Sequence, residues 1–156
     1  MSKTVPVTFG ERMFWAYDVS LGILLLETIE VAAEQPDPTF ANVLTDLRTQ
    51  VEVGASYAFE LDDSSWTGAQ RTRLTTLIAE AARRLRVRGV ISAAEANRRY
   101  QIDGEPYHLR LAKEIDGEVI ADLADKIALL VRDELPSLPD AEHHWFYGAG
   151  KDPGLL

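Results

Sequence analysis

Between Met13 and Leu26 the chain is apolar almost all the way round, with Met13, Phe14, Trp15, Tyr17, Val19, Leu21, Ile23, Leu24, Leu25 and Leu26 interrupted chiefly by Asp18, Ser20 and Gly22. A segment with no polar stripe has to be enclosed, so any fold must build its core around it. It is shorter than the roughly 20 residues that cross a bilayer, and its polar interruptions argue against a membrane partner. The segment therefore reads as a buried central helix, running from about Gly10 to Glu34. The second half of that helix is amphipathic, because Glu27, Glu30 and Glu34 fall at i, i+3 and i+7 and share one face.

The rest of the chain divides at recognisable signals. Asp37 followed by Pro38 starts a second helix, in which Phe40, Val43, Leu44, Leu47 and Val51 repeat at helical spacing. Tyr57, Phe59 and Leu61 alternate with Ala58 and Glu60, the period of a short strand over 56–61. Ser65 or Thr67 can cap a third helix, whose stripe is Leu74, Leu77, Ile78, Ala81 and Leu85, and Gly89 ends it. Ser92 and Glu95 form a capping-box pattern for a short helix to about Arg99. Residues 100–111 read as a hairpin turning at Asp103-Gly104, with Tyr107, Leu109 and Leu111 alternating against His108 and Arg110. Asp116 opens the last long helix, with Ile120, Leu123, Ile127, Leu130 and Val131 inward and Pro136 as the stop.

The fold class expected is α+β and mainly α: four main helices, one short helix and a small antiparallel sheet made from 56–61 and the 100–111 hairpin. With 156 residues, 46% of them apolar, one compact domain over 1–156 is expected, ending in an irregular tail over 136–156. There is no cysteine, which rules out thiolate nucleophiles, disulfides and cysteine-ligated metals. Met1 to Gly10 does not read as a secretory signal, and a cytoplasmic location is expected.

Charge is unevenly spread. Residues 71–100 hold Arg71, Arg73, Arg83, Arg84, Arg86, Arg88, Arg98 and Arg99 against Glu80 and Glu95, or 8 − 2 = +6, so a net charge of −9 leaves −9 − 6 = −15 on the remainder. At about 100° per residue, Arg73, Arg83, Arg84 and Arg86 project away from the apolar stripe of the third helix. Followed by a hairpin, this helix has the outline of a winged helix-turn-helix, with those four arginines as its phosphate contacts. The overall acidity disfavours nucleic acid, and the arginines can equally be consumed by the protein's own acidic helices.

Two carboxylate pairs one helical turn apart, Glu27/Glu30 and Asp122/Asp125, have the spacing a helical magnesium-dependent nucleotide pyrophosphohydrolase would use. Both lie opposite apolar stripes, where solvation explains them more simply. His143 and His144, beside Glu142, are adjacent rather than a helical turn apart and give no metal-binding pattern. No nucleophile elbow or phosphate loop is present, so no catalytic residue, metal or cofactor is assigned. Trp145, Phe146 and Tyr147 cannot all point inward from an extended segment, and at least one is expected at the surface. The function expected is that of a small acidic protein that binds another protein bearing a basic surface, in the manner of a toxin-neutralising (immunity or antitoxin-like) or regulatory protein. Its contact residues would be Glu27, Glu30, Glu34, Glu118, Asp122 and Asp125, or the aromatics Trp145, Phe146 and Tyr147.

Overall fold

The computed structural model describes residues 4–52, 58–102, 105–106, 114–150 and 154–156. It opens with a hairpin: β1 (Thr4–Phe9) and β2 (Arg12–Tyr17) pair antiparallel from Thr4 beside Tyr17 to Phe9 beside Arg12. Gly10 turns the chain at φ +61°, a conformation that costs glycine little. The helix expected from Gly10 is therefore corrected over 12–17, and α1 covers Asp18–Ala33. Strand β2 carries large apolar residues on both faces, Phe14 and Ala16 inward and Met13, Trp15 and Tyr17 outward, which hides its two-residue period within an apolar run.

The remaining helices form where their caps and stripes place them. Asp37 accepts the Thr39 amide at 2.9 Å and starts a 3₁₀ turn over Pro38–Phe40 that runs into α2 (Ala41–Glu52), where Val43, Leu47 and Val51 are buried. Strand β3 (Phe59–Glu60) follows, and then α3 (Gly68–Arg88), opened by a reciprocal capping box between Thr67 and Gln70. Gly89 closes α3 at φ +71°. Strand β4 (Val90–Ile91) leads to α4 (Ala93–Arg99), capped by Ser92, and to the short ladder of β5 (Gln101–Ile102) with β6 (Glu105–Pro106). Strand β7 (Ile115–Asp116) pairs with β4, and Asp116 caps α5 (Gly117–Val131), which ends ahead of Pro136 with Asp133 at φ +57°. Strands β8 (Trp145–Tyr147) and β9 (Gly154–Leu155) complete an α+β, mainly helical fold.

The main sheet has the order β3-β1-β2-β8-β9 and is mixed. Strands β1–β2 and β8–β9 are antiparallel, whereas β1–β3 and β2–β8 are parallel. Two expectations change here. Of the strand expected over 56–61, Phe59–Glu60 joins β1 and not the later hairpin, whose described residues form a ladder of their own, and the tail over 136–156 contributes two strands to the sheet. Tyr57, the turn Asp103-Gly104, and Tyr107, His108, Leu109 and Leu111 lie outside the described residues. One face of the sheet sends Val5, Val7, Phe14, Ala16, Phe59 and Tyr147 into a core shared with α1, α2, α3 and α5.

Where α3 gives way to α5 the backbones nearly touch. Gly117 donates its amide to Gly89 O at 2.8 Å, and a Cβ on Gly117 would collide with the Leu85 and Gly89 carbonyl oxygens. Both obstacles are backbone atoms that no rotamer change can move. Gly117→Ala is expected to lower the urea unfolding free energy by about 2–4 kcal/mol, as overpacking against rigid backbone does. Gly68→Ala, whose Cβ meets nothing within 4 Å, serves as the neutral control.

Candidate functional site

Glu27 lies on α1 among apolar neighbours and is only 1% exposed. A buried carboxylate must be met by cations and donors, and α3 and α4 supply them. Tyr100, just past α4, donates its hydroxyl to Glu27 Oε2 at 2.9 Å and accepts from Arg88 Nη1 at 2.6 Å. Arg88 Nη2 reaches Glu27 Oε2 at 3.4 Å, and Arg99 Nη2 reaches Glu27 Oε1 at 3.4 Å and Glu30 Oε2 at 3.2 Å. The Arg88 guanidinium also stands 5.4 Å from the centre of the Tyr100 ring. Burial, and then the Glu27 charge, push the Tyr100 hydroxyl far above its usual range, so it acts here as a donor. Burial and Glu27 likewise raise Glu30, against the opposing pull of Arg99. Both oxygens of Glu27 are engaged, and the cluster clamps three helices together. One sequence reading changes with it, since Glu27 is buried and is no surface contact residue, and Arg99 turns toward the acids of α1.

The arginines of α3 do leave the apolar stripe, and there they meet the protein's own carboxylates. Arg73 pairs with Asp37 at 3.1 Å, and Arg83 with Glu80 at 2.6 Å. Arg84 makes a forked contact with Glu34 at 2.6 and 2.7 Å and also reaches Glu80 at 3.2 Å. Arg86 bridges Glu118 at 3.1 Å and Asp125 at 2.5 Å, tying α3 to α5. Hydrogen bonds from Arg83 and Arg84 hold Glu80 down at about 2, and the Arg84 contact lowers Glu34. Surface pairs of this kind contribute little stability, about 0–1 kcal/mol each, but they neutralise the basic face. Asp122 is taken by Lys126 at 3.5 Å. The carboxylates that spacing groups into magnesium-binding pairs are thus matched by arginine and lysine, and no group of three or more His, Asp or Glu among the described residues is arranged to hold a metal.

The aromatic tail divides between the two faces of the sheet. Tyr147 is buried edge-on against Phe14, with ring centres 5.3 Å apart. Trp145 packs at the rim of the core and donates its indole N–H to Pro136 O at 2.9 Å. Phe146 points to the opposite face, beside Trp15. Trp145 and Phe146 are both half-buried, and Phe146 is the one that does not pack against the core; its neighbour Trp15 was hidden in the run read as helix. His143 is occupied by Asp140, with Nδ1 to Oδ1 at 2.8 Å. A cavity of about 150 Å³ between β1 and α3, lined by Phe9, Leu61, Leu74 and Val131 with Arg71 at its side, brings no two titratable groups together.

Tyr100→Phe is expected to cost about 1–3 kcal/mol in a denaturant melt, because the buried carboxylate loses its hydroxyl donor. Glu27→Ala is expected to cost about 3–5 kcal/mol by stranding the mostly buried Arg88. A carboxylate NMR titration should place Glu80 at about 2, moving back toward 4.5 in Arg84→Met. Because its folded value lies below the unfolded one, any stability from Glu80 is present above pH 4.5 and lost as pH falls through about 2. The chain matches no family model, and neither a curated protein nor a solved structure matches it.

Proposed function

We propose that this protein acts by binding a basic protein partner, as a toxin-neutralising or regulatory protein does, and carries out no chemistry of its own. The observation that supports this reading is how its cations are used. Arg73, Arg83, Arg84, Arg86, Arg88 and Arg99 all pair with internal carboxylates, as do Arg12, Lys126 and Arg132. A partner approaching the surface meets the remaining acids, among them Glu11, Glu60 and Glu114, which make no ion pair with a described residue. With a net charge of −9, long-range attraction is reserved for positive surfaces, and polyanions are repelled.

Complementary charge acts chiefly on association rate and much less on the lifetime of the complex. Once a partner has been captured from native extract and purified, its association rate should fall steeply as salt rises. Reversing Glu11 and Glu114 to lysine should slow association further while leaving dissociation nearly unchanged. An association rate indifferent to both salt and charge reversal would end this reading. Retention of the protein on duplex DNA at low salt, lost in Arg83→Ala/Arg84→Ala, would replace it with a nucleic-acid function.

A further inference from the structure

The five-stranded sheet has a second face, turned away from the core. Strand register decides which residues stand on it: Thr4, Pro6 and Thr8 of β1 lie beside Tyr17, Trp15 and Met13 of β2, Glu60 beside Thr8, and Phe146 beside Trp15. Each is partly or fully exposed, whereas its sequence neighbours Val5, Val7, Phe14, Ala16, Phe59 and Tyr147 are buried. Tyr17 also touches the core, but Met13, Trp15 and Phe146 do not pack against it. These are large apolar side chains placed where they add nothing to the interior.

Trp15 stands at the middle of the sheet, on its central strand. Phe146 lies next to it and extends across β9, where a Cβ on Gly154 would come within 3.2 Å of Phe146 Cδ1. The absence of a side chain at Gly154 leaves room for the phenyl ring over β9, and the strand register sets Phe146 beside Trp15 on this face. Of the three tryptophans, Trp66 donates its indole N–H to Asp46 and Trp145 to Pro136, while Trp15 has no acceptor among the described residues. The one charged side chain among the described residues of this face is Glu60.

Among its described residues this face offers aromatic rings that leave the core, one carboxylate and no cation, a surface suited to a guest that brings positive charge. Guanidinium groups stack over indole and phenyl faces and can pair with a carboxylate at the edge. A second copy of this chain would bring another −9, and no cation among the described residues of the matching face. We propose that the outer sheet face, centred on Trp15 and Phe146 with Glu60 at its edge, is the docking site, and that the partner is a protein segment laying arginine side chains across the two rings. This rests on the basic-partner reading above and supplies its location and chemistry.

The test uses hexa-arginine amide as the probe and the full chain labelled with ¹⁵N. Titration at low salt should shift the Trp15 indole signal and the backbone signals of Glu60 and Phe146, leaving the Trp66 indole in place. Trp15→Thr and Phe146→Thr should each weaken binding three- to tenfold. Both positions are outside the core, and an unchanged dispersion of the buried Val5 and Phe14 signals will show that the fold is kept. Hexa-lysine amide should bind more weakly than hexa-arginine, since the guanidinium plane is what stacks. If the peptide binds but moves other signals and leaves Trp15 still, the docking site is wrong while the acidic-surface reading stands. If no binding occurs at low salt, both fall. Dimerisation abolished by Trp15→Thr would overturn the proposal in favour of a second copy.

Discussion

A carboxylate with 1% exposure in the middle of the central helix sets a condition that the rest of the chain has to meet. An unpaired carboxylate buried there would cost several kcal/mol. The fold answers it with Arg88 from the last turn of α3, Arg99 from the end of α4 and the Tyr100 hydroxyl, so two helices can occupy only positions from which those groups reach α1. Such a cluster is weak evidence of stability, since apolar replacements of the same volume often do as well. It is a strong constraint on geometry, because an arrangement that misplaces any one donor leaves a charge unmatched.

The same economy of charge runs along the surface. The +6 segment over 71–100 is spent mostly on the protein's own acids, with Arg84 joining α3 to Glu34 at the end of α1 and Arg86 joining it to α5. Individually these exposed pairs contribute little. Together they convert a segment that looks like a nucleic-acid face into a set of ties between helices, and the acid excess is left elsewhere.

Much of the fold can be read from local chemistry. Asp37-Pro38, Thr67, Ser92 and Asp116 each open a helical element through a side-chain cap, because capping is settled within a few residues. Residues 12–17 defeat that kind of reading. Their inward and outward faces are both apolar, one to fill the core and the other to form a surface, so periodicity vanishes; only Gly10, after the alternating stretch Thr4–Phe9, hints at the turn. The role of Glu27 was equally hidden. Its spacing with Glu30 and Glu34 describes a helix face correctly, but which neighbours cover that face depends on contacts between residues far apart in the chain. Phe146 is the intermediate case: three consecutive aromatics forced at least one outward, while the identity of that one came from the pairing of β8 with β2.

The parallel pairing of β2 with β8 also bears on how the molecule is made. Strand β2 is synthesised well before β8, its neighbour on one side, because all five α-helices lie between them in the chain. Until β8 arrives, the nascent chain carries a sheet edge with unpaired backbone groups and the ring of Trp15 beside it, the kind of edge that attracts other strands. Late closure of contacts so distant in sequence also slows folding. Trp15, central to the finished sheet's outer face, therefore stands beside an open strand edge until β8 pairs with β2.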